Sequence, residues 1–485
     1  MTEQASLSGI GNATSHAGMS RRQHRAHRPH MIYVAIGFPP AAKSSAYRLR
    51  ATANQFCAAG WDVTVLTIGE RAWRREFGLD HSLRAGVDPR VRVVELPLAR
   101  ADLETDLRTF SERRALRPGA WIADHHKRNI AIFPEPVFGG WRFALEKALI
   151  AEHKKSPADL VVTTCAPYVG LAATWKLWQT AKVPYVVDFR DGWSIDVVNG
   201  KEAFEPDSAA GQWERRLFLH ATALWFVNEP IADYYRERYP EVAARISVAR
   251  NGYDDDSVPP EIRRPSAEDG LVFGYLGTTS FAPVILDSAL TAWRIARRRD
   301  PVLARSRLVF RGHTGAGALR GANSHVDLLK AAVEDGVSFA GPVIKAQVGA
   351  TYGEWDALVL LLTGGKYMTS GKVYEFMASG LPIVSVHEID HDATTVLTGH
   401  PLWTGPVGLD INRLADAYIE AGRLALTATD EMRAAAREYA RPNARAAQLE
   451  PVVRRITETV APYALSVDPT PTGTASVSAS ESVPS

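Results

Sequence analysis

Lys372 and Glu375 stand three positions apart in the run Ser370-Gly371-Lys372-Val373-Tyr374-Glu375. An apolar run over 356–362 precedes them and a second, over 382–386, follows. This pattern predicts a buried parallel strand, a loop, a short helix and another strand. A helix that opens beyond a strand's carboxyl end directs unpaired backbone N–H groups at whatever sits there. A lysine in its first turn adds a positive charge, and the combination suits a phosphate. Glu375 shares the lysine's face, where its carboxylate can accept hydrogen bonds from a ribose. Gly364 and Gly365, in the preceding loop, offer N–H groups to a sugar or phosphate. The unit suits a nucleotide diphosphate; the plain alternative is a salt-bridged helix start at the surface.

Other strand ends carry further candidates. Pro39-Pro40-Ala41-Ala42-Lys43-Ser44-Ser45 follows the first strand. Ser44 and Ser45 can cap the next helix and offer hydroxyls to a ligand. Leu276-Gly277-Thr278-Thr279-Ser280 follows the first strand of the second half, and the hydroxyls of Thr278 and Ser280 suit phosphate oxygens. Arg311-Gly312-His313 ends the next strand; Arg311 supplies a cation there, or an ion pair at a domain edge. Asp188-Phe189-Arg190-Asp191-Gly192-Trp193 sets three functional side chains at one strand end. Asp191 can orient an acceptor hydroxyl or stabilise positive charge, with Arg190 beside it. Trp193 can stack on a sugar face. The alternative is a structural carboxylate–arginine pair with a packed indole.

Two acidic runs invite a metal reading, and neither supports one. Asp254-Asp255-Asp256 follows the turn Asn251-Gly252 at the end of the first half, and a metal there is disfavoured. His387-Glu388-Ile389-Asp390-His391-Asp392 lacks a matching Cys or His cluster, so a solvated loop is expected. His125 and His126 fall in a less regular, charge- and tryptophan-rich stretch over 71–141. They are read as an acceptor contact or base, with a solvated loop as the alternative. The run over 141–150, with Lys154-Lys155 beyond it, is amphipathic and partly basic. It reads as a helix packed on a sheet, or as a face for a membrane surface.

The elements that must hold these residues alternate between strand and helix. In the first half, strands are predicted over 31–36, 61–68, 159–164, 184–189, 223–227 and 246–249. In the second half they fall over 271–276, 307–311, 337–340, 357–362 and 382–386. Helical patterns lie between them, which predicts an α/β protein of two Rossmann-like, doubly wound parallel sheets facing across a cleft. The expected organisation is a basic disordered leader (1–30), a first domain (31–255), a linker (256–270) and a second domain (271–430). Helices over 431–465 cross back to the first domain, with kinks at Pro442 and Pro451, and a disordered tail (466–485) follows.

The 485 residues suffice for two domains. Lys and Arg number 56 against 54 Asp and Glu, which disfavours a nucleic-acid binder. Cys57 and Cys165 fall in different units, which fits a reducing, cytoplasmic setting without disulfides. No apolar run reaches the ~18 residues of a membrane span.

The segment around Lys372 and Glu375, and Asp188 to Trp193, resemble the GT-B glycosyltransferases of family 4. The resemblance runs over roughly residues 31–460. It implies a nucleotide-sugar donor, of UDP or GDP type, held by the second domain, and an acceptor held by the first. Lys372 is implied at the donor phosphates and Glu375 at the ribose. Ser44, Ser45, Gly277, Thr278 and Arg311 fall in loops that line the donor side in such enzymes. Many members carry a glutamate on the sugar eight positions before Glu375, where this chain has Tyr367. The resemblance implies hexosyl transfer with retention, no metal and no cofactor beyond the sugar nucleotide. A glycan, lipid carrier or natural product is the implied acceptor, as in polysaccharide biosynthesis, with peripheral contact at the inner membrane surface allowed. The alternatives are a nucleotide-sugar epimerase of the same fold and a non-catalytic partner protein.

Overall fold

The computed structural model describes residues 28–279, 282–313 and 324–463. The expected disorder of the leader up to residue 27 and of the tail, and the expected role of Ser280, lie outside these residues.

The first domain is built on β1 (His30–Val34), β2 (Asp62–Ile68), β3 (Arg92–Leu96), β4 (Leu160–Cys165), β5 (Tyr185–Phe189), β8 (Ala223–Phe226) and β9 (Ile246–Val248). The short hairpin β6 (Ile195–Asp196) and β7 (Lys201–Glu202) stands apart. All seven strands of the main sheet run parallel, in the order β3-β2-β1-β4-β5-β8-β9. The second domain has five parallel strands: β10 (Val272–Leu276), β11 (Arg307–Arg311), β12 (Val337–Phe339), β13 (Ala357–Leu361) and β14 (Ile383–Val386). Their order is β12-β11-β10-β13-β14.

Both central strands are buried on both faces. Ile32 and Val34 of β1 enter one core; Met31 and Tyr33 enter the core behind the sheet. In β10, Phe273 and Tyr275 face one core while Val272 and Leu276 face the other. A two-sided parallel sheet therefore reads as unbroken apolar runs. In each sheet the strand order reverses beside the first strand, between β1 and β4 and between β10 and β13. Ligands of doubly wound sheets bind outside the strand ends at that reversal.

The helices include α1 (Ser45–Ala58), α2 (Pro118–Ile132), α3 (Gly170–Ala181), α4 (Gly371–Ser379) and α5 (Arg445–Val460), of which α1, α4 and α5 contribute to the cavity lining. The chain breaks helix over 441–444 around Pro442, and then α5 runs through Pro451. It lies on the first domain. Leu449, Val452, Val453 and Ile456 join Phe56, Trp61 and Trp225 in one buried cluster. Each such side chain contributes roughly 1.5–3 kcal/mol of burial. Trp61 Nε1 donates to Thr457 Oγ1 at 2.9 Å, which fixes the register of α5.

One expectation needs correction here. The stretch over 71–141 is not uniformly irregular, because β3 and α2 lie within it. Pro118 begins α2 at a position where a missing N–H costs nothing. Asn129 alone among its residues is buried, so the sequence carries no apolar stripe that would announce a helix.

Candidate active site

The reversal points of the two sheets face each other across a cavity of about 740 Å³. Ser44, Tyr47, Arg190 and Asp191 line it from the first domain. Gly277, Thr278, Thr363, Ser370, Gly371, Lys372 and Glu375 line it from the second.

Ser370 caps α4, its hydroxyl accepting the Lys372 N–H at 3.3 Å. The Lys372 side chain runs directly over Gly277, whose φ is +153°. A Cβ there would collide with Lys372 Cε. The Lys372 ammonium lies 5.7 Å from the centroid of the Tyr275 ring. Among the described residues it has no carboxylate partner within 4.0 Å. Burial holds its pKa below the ordinary lysine value, with Glu375 opposing. An ammonium so placed gains from a bound anion.

Glu375 is held from behind. Tyr352 donates its hydroxyl to Oε2 at 2.9 Å, and Lys345 Nζ lies 3.6 Å from Oε1. Lys345, only 2% exposed, also pairs with Asp256 at 3.1 Å and bonds Ser257 Oγ. Its ammonium lies 4.9 Å from the Tyr47 ring of the first domain, and its backbone N–H donates to Asp80 at 2.8 Å. Nothing in the sequence marks Lys345, Tyr47 or Asp80. They meet because packing brings a loop of the second domain against α1 and the loop after β2.

The segment from Asp188 to Trp193 divides its work differently from either sequence reading. Asp188 is buried against Arg48 of α1, at 2.6 Å. Arg190 and Asp191 point at the cavity instead. Trp193 does not. It is 7% exposed and stacked between Tyr168 (4.8 Å, 9°) and Phe133 (5.7 Å, 18°). The expected sugar-stacking role is therefore corrected: both faces of the indole are occupied.

Several donor-side expectations also change. Ser44 faces the cavity without capping α1. Ser45 is 2% exposed, its hydroxyl turned inside without a hydrogen-bond partner among the described residues. Arg311 does not line the cavity; its Nε donates to the Gly341 carbonyl at 3.4 Å, and Gly312 and His313 take the place expected of it. Gly364 (φ +86°) and Gly365 shape a turn, while Thr363, Met368 and Thr369 form the wall. Tyr367 packs on the core of the first domain, its ring near Gly200. The Tyr367 carbonyl accepts from Asn228 Nδ2 at 3.2 Å. Tyr367 thus joins the two domains instead of reaching into the cavity.

His125 and His126 lie on α2, not in a loop, and neither lines the cavity. His125 stacks on Trp121 at 5.1 Å, and burial lowers its pKa.

The acidic runs are engaged in ion pairs. Asp254 sits between Arg50 (2.9 Å) and Arg445 (3.0 Å). The segment from His387 to Asp392 is not a solvated loop at its ends: His387, His391 and Asp392 are buried. His391 Nδ1 accepts the Ala393 N–H, and Asp392 pairs with Arg250 at 3.0 Å. Asp392 also accepts from Thr369 Oγ1 at 2.7 Å, which braces the cavity wall.

Comparison with known proteins agrees with this architecture. Residues 45–252 match the family model described as glycosyl transferase 4-like domain. Sucrose-phosphate synthase from Thermosynechococcus elongatus superposes with a TM-score of 0.56 at 16% identity, over 89% of this chain and 100% of that one. HepE from Anabaena, solved in complex with UDP and glucose, gives 0.54 at 13% identity, over 89% and 100%. An E. coli structure described as trehalose-6-phosphate bound with UDP-2-fluoro glucose gives 0.58 at 12% identity, over 88% and 99%. No curated protein matches the chain in sequence. The chain has the two-domain GT-B fold. Its first domain is similar to the glycosyl transferase 4-like domain over residues 45–252.

Proposed function

We propose that the protein is a glycosyltransferase that moves a hexosyl group from a nucleoside-diphosphate sugar to a hydroxyl of an acceptor, with retention and without a metal. One observation carries this reading: the Lys372 ammonium, without a carboxylate partner among the described residues, stands at the opening of α4 inside the cleft. The leaving diphosphate gains negative charge as the glycosidic bond breaks. Lys372 and the N–H groups around Gly371 are fixed donors that stabilise such charge better than mobile water does. Glu375, already oriented by Tyr352 and Lys345, is the ribose contact. Asp191 and Arg190 face the sugar from the opposite wall, where the acceptor hydroxyl must enter. The donor's own phosphate takes the hydroxyl proton, so no separate base is required. HepE, of the same fold, was solved with UDP and glucose, which supports a UDP-type donor.

A glycan, a lipid carrier or a natural product can serve as acceptor. Among the described residues no helix is long and apolar enough to cross a membrane. The helix over 142–155 buries Leu145 and Leu149 but leaves Phe143 60% exposed. That mixed character suits peripheral contact with a membrane surface. A non-catalytic partner of the same fold is the second reading, favoured by Tyr367 at the position where many relatives carry a sugar-binding glutamate.

Thermal unfolding with UDP, GDP, TDP and ADP, for the wild type and Lys372→Ala, tests the assignment. A nucleotide at a hundredfold excess over its Kd raises stability by ~2.7 kcal/mol. One nucleotide should stabilise the wild type and not the variant. No response from any of them in the folded wild type would remove the donor site.

A further inference from the structure

Glu375 lines the cavity, and the groups that hold its carboxylate stand behind the cavity wall. Tyr352, fully buried, donates to Oε2 at 2.9 Å. Oε1 is approached less closely, by Ser257 Oγ at 3.5 Å and by Lys345 Nζ at 3.6 Å. The Lys345 ammonium has closer partners: it lies 3.1 Å from Asp256 Oδ1 and donates to Ser257 Oγ. Asp256 and Ser257 belong to the short turn Asp255–Ser257 between the domains. Asp256 is itself 3.4 Å from Arg50 of α1.

An ionised carboxylate offers about four lone-pair sites, two on each oxygen. Tyr352 takes one of them on Oε2. Lys345, at 3.6 Å, is an ion-pair neighbour beyond the length of a hydrogen bond. It holds Oε1 in place by charge, and its closer ties to Asp256 and Ser257 keep it from occupying that oxygen. One acceptor site on each oxygen is left for the cavity. Two acceptor sites on one fixed carboxylate match two adjacent hydroxyls. A site built this way rejects an analogue that lacks one of them, because a half-buried acceptor is left unpaired.

We propose that Lys345 is a positioning residue that fixes Glu375 as a two-point acceptor, so that the cavity selects nucleotides carrying both the 2′- and the 3′-hydroxyl of ribose. Lys345 acts through Glu375, since it stands outside the cavity lining. This role rests on the donor reading above and narrows the donor to ribonucleotides. UDP, GDP and ADP qualify; TDP, which lacks the 2′-hydroxyl, does not.

The test is calorimetric titration of the full chain with UDP, GDP and ADP, each beside its 2′-deoxy and 3′-deoxy counterparts, and with TDP. For the nucleotide that binds, each deoxy form should bind the wild type at least about tenfold more weakly, as loss of a hydrogen bond to a charged group gives. Lys345→Met removes the ammonium and keeps most of the side-chain volume. Asp256→Asn, at a half-exposed position off the cavity wall, instead frees the ammonium to occupy Oε1. In both variants the ribonucleotide should weaken about tenfold, while the deoxy form that lacks the hydroxyl facing Oε1 stays within about threefold of its wild-type affinity. That retained binding shows that the variant is folded. A merely structural role would weaken all three forms alike. If Lys345→Met does not fold, Asp256→Asn decides. An unchanged ribonucleotide affinity in Asp256→Asn, or a loss shared equally by both deoxy forms, overturns the role of Lys345. Equal binding of ribo- and deoxynucleotides by the wild type, or a preference for TDP, overturns it as well. If no nucleotide binds the folded wild type, it is the donor reading that falls.

Discussion

The side chain of Lys372 crosses the backbone of Gly277 so closely that no β-carbon fits beneath it. The end of β10 and the start of α4 are thereby locked to one lysine rotamer. Gly277→Ala should displace the ammonium from the position proposed for the donor phosphates while leaving both sheets intact. We expect turnover to fall on the order of 100-fold, comparable with Lys372→Ala, since each removes a charge aimed at the leaving group. Steady-state kinetics with the donor identified by nucleotide binding would check this. Near-normal kcat in Gly277→Ala would mean that the lysine's path is not important.

Tyr352→Phe removes the hydroxyl that orients Glu375 and changes little else. One neutral-to-charged hydrogen bond is worth roughly 1.5–3 kcal/mol. Part of that should appear as weaker nucleotide binding, up to about tenfold. The effect should vanish in a Glu375→Ala background, which removes the acceptor. A titration in which Tyr352→Phe and wild type bind the nucleotide equally would detach Glu375 from the ribose.

The junction of α5 with the first domain is a stability element. Thr457→Val keeps the volume and strands the Trp61 N–H in a buried site. The expected cost is about 1–3 kcal/mol, read as a lower midpoint in urea unfolding. Nucleotide affinity of the folded protein should not change.

Acid should destabilise the protein between pH 6.5 and about 4. Burial lowers the pKa values of His391 and His400 to about 4. Their folded values lie below the unfolded one, so the stability they contribute is complete above pH 6.5. It disappears as pH falls through the folded value. Each accounts for at most about 3 kcal/mol over that interval. His400→Gln should flatten the fall in unfolding free energy between pH 7 and 4.5. An unchanged pH profile would show that the ring is not held neutral.

Much of the fold was legible because parallel strands buried on both faces leave unbroken apolar runs, as over 357–361 and 383–386. The opening of α4 was legible for a local reason: Ser370, Gly371 and Lys372 are contiguous, and cap, N–H groups and charge arrive together. α2 was not legible, because a helix that buries only Asn129 has no apolar period to read. The same limit applies to Lys345, which reaches Glu375 only through the packing of its loop against the other domain.

The sequence by itself determined the alternation of strands and helices, the two sheets, and a phosphate-suited helix start at Lys372. All of these depend on residues close together in the chain. Tertiary structure decided which way the strand-end side chains turn. Trp193 went into an aromatic stack, Arg311 to a carbonyl, Tyr367 to the domain junction, and Arg190 and Asp191 to the cavity. Adjacent residues at a strand end have similar local preferences. The partners that claim or release them come from elements 20 to 170 positions away, and only packing puts those partners within reach, as Tyr168 does for Trp193 and Gly200 for Tyr367.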